Sequence, residues 1–190
     1  MNLPNKLTLT RIFLIPVFTA VYLLKVLPIN FILSAIIFAI ASLTDFLDGY
    51  IARKNNLVTN LGKFLDPIAD KILVSTALII MLVPVKDGVS ILPWYSAIAV
   101  AVILARELMV SGFRIIASSK GTVLAADKAG KIKTFCQDIA ILVLLVGADV
   151  NITPYSIMNL IGLILLGVAT VLTIISGAEC IIKNKTVLKD

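Results

Sequence analysis

The sequence predicts an all-α integral membrane protein with six transmembrane helices, a short N-terminal interfacial helix and both termini in the cytoplasm. Three observations carry this prediction. The chain of 190 residues is 59% hydrophobic, its mean hydropathy is +1.06, and its apolar residues form long runs broken by short polar turns. About 20 apolar residues cross a bilayer as a helix, so six spans with short loops fill the chain. We therefore expect residues 1–190 to form a single membrane domain.

The first span follows a basic start, MNLPNKLTLTR, and no small-residue cleavage site follows it. We interpret it as an anchoring helix rather than a removed signal peptide. Cys136 and Cys180 fall inside predicted spans, which argues against a disulfide or a zinc site. The predicted spans lie, in chain order, near Leu7–Leu27, Phe31–Ala52, Pro67–Val85, Pro93–Gly112, Thr134–Val150 and Tyr155–Ile182.

Three polar breaks on one side of the membrane join the first span to the second, the third to the fourth, and the fifth to the sixth. Pro28 ends the turn after the first span, and Val83–Pro93 forms the longest loop on this side. Trp94 and Tyr95 follow that loop, at the interfacial position that amphipathic aromatic rings prefer. Asp149–Pro154 makes the last turn. These breaks set the order of the six predicted helices.

The basic residues orient the chain. With six spans, the termini lie on the same side as the Arg53–Asp66 and Phe113–Lys133 segments, and of 17 Lys and Arg only Lys25 and Lys86 lie opposite. Such an asymmetry places the basic side in the cytoplasm. The formal charge of +6 then belongs to one face, which suits anionic headgroups and phosphorylated solutes. Nucleic acid is a poor partner, because the charges are interleaved with membrane spans.

Four aspartates lie close together near the cytoplasmic ends of the second and third spans. Asp45, Asp48, Asp66 and Asp70 make up four of the eleven carboxylates in the chain. An ionised side chain inside the bilayer costs roughly 2.5 kcal/mol or more, so the set requires compensating cations. Spacings of three and four residues put each pair on one helix face. Two divalent cations, Mg²⁺ or Mn²⁺, would bind such oxygen ligands.

Each aspartate also has a simpler interpretation. Asp66 before Pro67 has the pattern of a helix N-cap followed by proline at the first helical position. Asp48 could pair with Arg53, and Asp70 with Lys71 or Lys63, as interfacial charges. Taken together these interpretations leave a cluster of like charges without compensation. The metal site explains all four residues at once.

The aspartates belong to a longer pattern, Asp45-x-x-Asp48-Gly49-x-x-Ala52-Arg53 followed by Gly62-x-x-x-Asp66-x-x-x-Asp70. This pattern resembles the complete signature of the CDP-alcohol phosphatidyltransferase family. The resemblance implies a dimeric, six-span membrane enzyme with two divalent cations, which transfers a phosphatidyl group from a CDP-linked lipid to an alcohol and releases CMP. By position it implies that Asp45, Asp48, Asp66 and Asp70 bind metal and that Asp70 is also the catalytic base. It further assigns a CDP-lipid site to Asn5, Thr8, Gly49, Ala52, Arg53 and Gly62.

The residue types are consistent with that chemistry. The chain contains no histidine, so a general base has to be a carboxylate, a Lys, a Tyr or a water molecule. A carboxylate beside a metal-held alcohol is well placed to act as base. Two metals can stabilise both the attacking and the leaving oxygen of a phosphoryl displacement.

Basic residues farther along the chain predict a second anionic subsite. Arg106 stands among apolar residues beside Glu107, and Arg114 follows seven residues after Glu107 on the same helix face. Together with Lys131, Arg106 and Arg114 are predicted to line a pocket for the phosphate of the acceptor alcohol. Lys128 is a further candidate, and so is Lys133. The alternative for all of them is the ordinary excess of basic residues on the cytoplasmic side.

The segments NLPNKLTLTR, ARELMVSGFR and AGKIKTFCQD resemble the bacterial branch of the family that uses glycerol 3-phosphate as acceptor. That resemblance implies CDP-diacylglycerol and glycerol 3-phosphate as substrates and a bacterial inner membrane location with the active site facing the cytoplasm. It also implies that Asn5, Thr8 and Arg11 belong to the interfacial helix, which would cover the CDP site. An ordinary amphipathic start is the alternative for this segment.

Other functions remain open from the residues alone. Inositol phosphate, serine or phosphatidylglycerol could replace glycerol 3-phosphate, and inositol phosphate would also suit a basic subsite. A divalent-cation transporter is the alternative from another class, because carboxylates inside a membrane also line ion pathways. The transporter hypothesis predicts acidic residues through the depth of the membrane, whereas these four lie together near the cytoplasmic ends of two predicted spans.

Overall fold

The computed structural model describes residues 3–24, 29–54, 60–85, 88–119, 128–150 and 156–184, with side chains described for 8–24, 29–44, 68–85, 88–117, 130–149 and 156–184. Over these residues the chain is all-α and has no β-strand, which confirms the predicted class. The six helices are α1 (Leu3–Leu23), α2 (Asn30–Lys54), α3 (Asn60–Ile80), α4 (Ser96–Ser119), α5 (Lys128–Val150) and α6 (Ile157–Lys183).

Each helix overlaps one predicted span and extends beyond it on the side predicted to be cytoplasmic, and three helices do so by about two turns. α3 begins at Asn60 rather than Pro67, α4 continues to Ser119, and α5 begins at Lys128. Hydropathy marks the edge of the apolar stretch, whereas the hydrogen bonds of a helix continue through polar residues. The sequence therefore located the apolar stretches better than the helix ends.

The start of the chain differs from the prediction of a separate interfacial helix. α1 runs without a break from Leu3 to Leu23 and contains Pro16 in its interior. Proline is tolerated within membrane helices because neighbouring groups satisfy the backbone atoms that it leaves free. Thr8 and Arg11 thus lie on the same helix as the first predicted span.

The helices pack around a shared apolar core. α1 packs against α2 and α3, α2 also packs against α5, and α6 packs against both α5 and α4. Phe18, Tyr22 and Phe38 form a buried aromatic group, in which the Phe18 ring lies 6.5 Å from Tyr22 and 6.0 Å from Phe38 between centroids. Leu73 and Leu144 extend the same core into α3 and α5. The site described below lies between α3, α4 and α5.

The surface of the described helices carries many large apolar side chains, which a water-soluble protein would mostly bury. On α1, Arg11 is fully buried while Phe13 is 72% exposed. Large apolar side chains are exposed on all six helices, and such extended apolar surfaces mark contact with membrane or partner. Two segments of the described chain, Ser96–Ala117 and Ile157–Lys183, are long and apolar enough to span a membrane, and Thr8–Leu23 and Asn30–Thr44 are shorter apolar helices.

Candidate active site

The four aspartates lie on two neighbouring helices. Asp45 and Asp48 belong to α2, Asp66 and Asp70 belong to α3, and the two helices are in contact. The spacings of three and four residues therefore fall within continuous helix, where they put each pair on one face. Asp66 is not an N-cap, because α3 begins six residues earlier at Asn60. Several predicted site residues lie on these helices, but their side chains are outside those that the structure describes. They are Asn5, Asp45, Asp48, Gly49, Ala52, Arg53, Gly62, Asp66 and Lys128.

Asp70 is half-buried and lines a small pocket between three helices. The pocket has a volume of about 20 Å³, which corresponds to roughly one water-sized group. Val74, Ile103 and Leu104 supply its apolar wall. Its polar and charged wall consists of Asp70, Lys71 and Ser75 from α3, Glu107 from α4, and Lys133, Thr134 and Gln137 from α5. The proposed base thus shares a pocket with two ammonium groups.

Glu107 organises the charges on one side of this pocket. One of its carboxylate oxygens, Oε1, accepts hydrogen bonds from Arg106 Nη1 at 2.9 Å and from Lys133 Nζ at 2.5 Å. Lys133 is 3% exposed, and a buried ammonium is tolerated when a carboxylate pairs with it. The two bonds connect α4 to α5 and hold the Lys133 side chain at the pocket.

Arg106 connects the same cluster to α6. Its Nη2 donates a hydrogen bond to Ser176 Oγ at 2.7 Å, and its aliphatic stem lies against Gly177. A Cβ at Gly177 would come within 2.9 Å of Arg106 Cγ, so the absence of a side chain there makes room for the arginine. The two terminal nitrogens of the guanidinium thus donate to Glu107 and Ser176, and Arg106 is not among the residues that line the pocket.

The other predicted acceptor residues lie at the same end of the molecule. Arg114 and Lys131 are exposed, and Arg114 is close enough to Lys71 to interact electrostatically with its ammonium. Lys71 also interacts with Asp70, Glu107 and Lys133, so positive and negative groups alternate across the pocket. The structure brings Lys71 and Lys133 to the pocket itself and leaves Arg114 and Lys131 on the accessible surface.

Sequence reasoning missed several residues of the pocket. Lys71 was interpreted only as an interfacial partner of Asp70, and Ser75 and Gln137 had no assigned role. One usable signal was the spacing of Lys133 and Gln137, since residues four apart on α5 share a face. No comparable spacing identified Glu107 on α4 as a residue of the pocket, because Arg106 and Glu107 are adjacent and adjacent residues of a helix point in different directions.

Residues of α1 and α5 surround α2 just before Asp45. Arg11 Nε donates a hydrogen bond to the backbone oxygen of Ala41 at 3.1 Å, and Ser42 Oγ donates one to Asp138 Oδ2 at 3.1 Å. Ala41 and Ser42 lie about one turn before Asp45 on α2. The N-terminal helix therefore lies against the helix that carries the first aspartate pair.

The residues present are suited to divalent cations. The described side chains include Asp70 but not Asp45, Asp48 or Asp66, and among them no group of three Asp, Glu, His or Cys residues could hold a metal ion. The four candidates offer carboxylate oxygens, the donors that Mg²⁺ and Mn²⁺ prefer. Two contacting helices each supply two of them, and the half-buried position of Asp70 favours compensation of its charge.

Comparison with known proteins gives consistent matches over nearly the whole chain. The family model described as CDP-alcohol phosphatidyltransferase matches residues 1–175. A Bacillus subtilis protein named CDP-diacylglycerol–glycerol-3-phosphate 3-phosphatidyltransferase is 44% identical over 99% of this chain and 97% of its own length. Proteins of the same name from Rickettsia bellii and Shigella flexneri serotype 5b are 43% and 35% identical, over 93% and 91% of this chain and 91% and 89% of their own lengths.

These relatives share the length as well as the sequence of this protein, and the family signature suggested by the aspartate string is matched as part of a whole domain. An all-helical chain with apolar segments of membrane-spanning length agrees with a family of membrane enzymes. The protein is therefore an enzyme, and it belongs to the CDP-alcohol phosphatidyltransferase family.

Proposed function

We propose that this enzyme transfers the phosphatidyl group of CDP-diacylglycerol to glycerol 3-phosphate, which yields phosphatidylglycerophosphate and CMP. The observation that carries the proposal is the pocket in which Asp70 lies with Lys71 and Lys133. A carboxylate next to two ammonium groups can receive a proton from a hydroxyl while cations hold a phosphate nearby. The names of the relatives from three bacterial genera support the same pair of substrates.

In the proposed reaction Asp70 takes the proton of the primary hydroxyl of glycerol 3-phosphate. The hydroxyl oxygen forms a bond to the phosphorus that carries diacylglycerol, and the bond from that phosphorus to the oxygen of CMP breaks. Lys71, Lys133 and Arg114 supply positive charge for the phosphate of the acceptor. Lys128 and Lys131 are proposed to extend this subsite, and Arg106 acts on it through Glu107, which also holds Lys133.

The remaining parts of the site are proposed on the residue pattern. Asn5, Thr8, Gly49, Ala52, Arg53 and Gly62 would bind the CDP lipid, and Asp45, Asp48, Asp66 and Asp70 would hold two Mg²⁺ or Mn²⁺ ions. Bound there, the ions would neutralise charge on the pyrophosphate and stabilise CMP as it leaves. We further propose a single-domain homodimer with six spans in the bacterial inner membrane, whose active site and termini face the cytoplasm.

A direct assay tests the proposal. Purified protein in detergent is supplied with CDP-diacylglycerol, Mg²⁺ or Mn²⁺, and radiolabelled glycerol 3-phosphate, serine, inositol phosphate or phosphatidylglycerol. We expect labelled lipid with glycerol 3-phosphate, and we expect excess chelator to abolish its formation. Turnover with another alcohol alone would exclude the proposed acceptor. Full turnover in chelator would exclude the two-metal site, and uptake of divalent cations into vesicles without transfer would favour a transporter.

A further inference from the structure

The pocket beside Asp70 contains a buried polar atom to which neither the described structure nor the proposed reaction gives a partner. Gln137 lines the pocket and is 2% exposed, and its Oε1 is buried with no hydrogen-bond partner among the residues that the structure describes. Buried side-chain oxygens are normally satisfied, so an exception that faces a pocket indicates a missing donor. The group that completes this site must therefore bring an N–H or an O–H.

The surroundings of Gln137 restrict what that donor can be. The apolar wall of Ile103 and Leu104 has no polar hydrogen to donate, and the Lys133 ammonium donates to Glu107 and makes no hydrogen bond to Gln137 Oε1. Thr134, on the preceding turn of α5, donates its hydroxyl to the backbone oxygen of Gly130 at 3.1 Å. No described neighbour donates to Gln137 Oε1, so we take the donor to belong to a molecule that binds in the pocket.

We infer that Gln137 is a specificity-determining residue, whose Oε1 accepts a hydrogen bond from the secondary hydroxyl of glycerol 3-phosphate. This inference rests on the proposed function. The primary hydroxyl is the one that reacts, and the phosphate requires the cations around the pocket. The secondary hydroxyl lies on the carbon between these two groups, so it enters the pocket when the primary hydroxyl reaches Asp70.

We therefore expect the enzyme to prefer acceptor alcohols that carry this secondary hydroxyl. A site built to bond a substrate hydroxyl discriminates against an analogue that lacks it, because the buried polar atom is then left unpaired. Glu107 contributes to this preference because it holds the side chain of Lys133, which lies one helical turn from Gln137 on the same face of α5.

The test compares glycerol 3-phosphate with 3-hydroxypropyl phosphate, which keeps the primary hydroxyl and the phosphate but lacks the secondary hydroxyl. For the unaltered enzyme we expect kcat/KM to be about 10- to 100-fold higher with glycerol 3-phosphate, the range for loss of one buried hydrogen bond. Gln137→Met keeps the length of the side chain and removes the acceptor oxygen. We expect it to reduce the preference to about threefold or less by lowering the rate with glycerol 3-phosphate alone.

The ratio of the two kcat/KM values is measured on one preparation, so the folded fraction cancels. Phe135→Leu, at an exposed position two residues away on α5, is the matched control and should leave the ratio unchanged. An unaltered enzyme that accepts both alcohols equally well, or a Gln137→Met ratio equal to the parental one, would overturn the inference. If the unaltered enzyme used neither alcohol but turned over serine or inositol phosphate, the proposed function itself would be wrong.

Discussion

At the scale of single residues, Glu107 links two helices of the site through its carboxylate. It binds two cations that come from different parts of the chain, Arg106 beside it and Lys133 on α5. Asp70 lies across the same pocket with Lys71. The carboxylate of Glu107 is neutralised by its partners, whereas Asp70 faces the space where the acceptor alcohol would bind. We therefore propose separate roles for these two acidic residues, positioning for Glu107 and proton transfer for Asp70.

The role of Asp70 is tested by Asp70→Asn. Asn keeps the size of the side chain but cannot take a proton, so we expect the rate to fall by at least about two orders of magnitude, the usual range for a general base. Steady-state kinetics at saturating substrate measure the effect. Asp45→Asn and Asp66→Asn should instead act through metal binding and recover in part at high Mg²⁺. A parental rate for Asp70→Asn would mean that another group is the base.

The division of the cleft between two substrates is tested by two arginines. Arg114→Ala should raise the KM for glycerol 3-phosphate by about one to two orders of magnitude, because one charge-assisted contact is worth roughly 1.5–3 kcal/mol. Its effect on the KM for CDP-diacylglycerol should be small. Arg53→Ala should show the opposite bias, since Arg53 is assigned to the nucleotide. Equal effects of both variants on both substrates would show that the cleft is divided differently.

The positioning role of Glu107 is tested by Glu107→Gln. This change leaves Lys133 buried without a carboxylate partner, and breaking a buried ion pair costs about 3–5 kcal/mol. We expect a lower Tm and a higher KM for glycerol 3-phosphate. Glu179→Gln is the matched control, because Glu179 pairs with Lys183 at 2.9 Å on the exposed surface of α6, where a pair contributes about 0–1 kcal/mol. Similar changes in Tm for both variants would contradict this difference.

At the scale of the helices, close approach between α5 and α6 depends on small residues. A Cβ at Gly162 would lie 2.5 Å from Leu144 Cγ and 3.4 Å from the Leu144 backbone nitrogen. Gly167, one turn farther along α6, has nothing within 4 Å of the same position. Small residues at such interfaces let membrane helices pack at short distance. The α5–α6 contact in turn supports α5, which carries Lys133 and Gln137.

This packing predicts different outcomes for two identical substitutions on α6. Gly162→Ala places a methyl group against Leu144 and should destabilise the protein by about 1–3 kcal/mol, the usual cost of overpacking. Gly167→Ala fills open space and should leave the Tm equal or slightly higher, because alanine favours the helix. Thermal unfolding in detergent measures both variants. A lower Tm for Gly167→Ala than for Gly162→Ala would be inconsistent with the described α5–α6 contact.

At the scale of the whole molecule, the charge distribution and the apolar exterior together describe a membrane enzyme with one functional face. Exposed Phe13 next to buried Arg11 on α1 shows the pattern locally. All but two of the Lys and Arg residues are assigned to the side that carries the aspartates. A phosphorylated, water-soluble acceptor would approach from that side, whereas CDP-diacylglycerol would enter from the bilayer.

The predicted orientation can be measured with single cysteines. After both natural cysteines are replaced with serine, Lys86→Cys and Lys120→Cys place one thiol in each of two loops that the charge rule assigns to opposite sides. In intact cells we expect a membrane-impermeant maleimide to label Lys86→Cys only, and to label both after permeabilisation. Labelling of Lys120→Cys in intact cells would reverse the proposed orientation.

The sequence by itself determined the order of the six apolar segments, the helix that carries each aspartate, and the family, but it wrongly separated an interfacial helix from α1. These features are local: a run of apolar residues or a spacing of three or four within one helix does not depend on distant neighbours. The helix ends were less predictable. Polar residues such as Asn60 extend a helix beyond the apolar stretch by which it is recognised in the sequence.

The tertiary structure alone decided which side chains meet Asp70. Lys133 and Gln137 reach the pocket from α5, and Glu107 rather than Arg106 lines it from α4. Adjacent residues on a helix point about 100° apart, so the rotation of α4 decides which of the two faces the pocket. Helices that are apolar on most sides do not reveal this rotation, because lipid and protein core favour the same residues. Packing of α4 against α6 and α3 fixes this rotation, and with it the composition of the site.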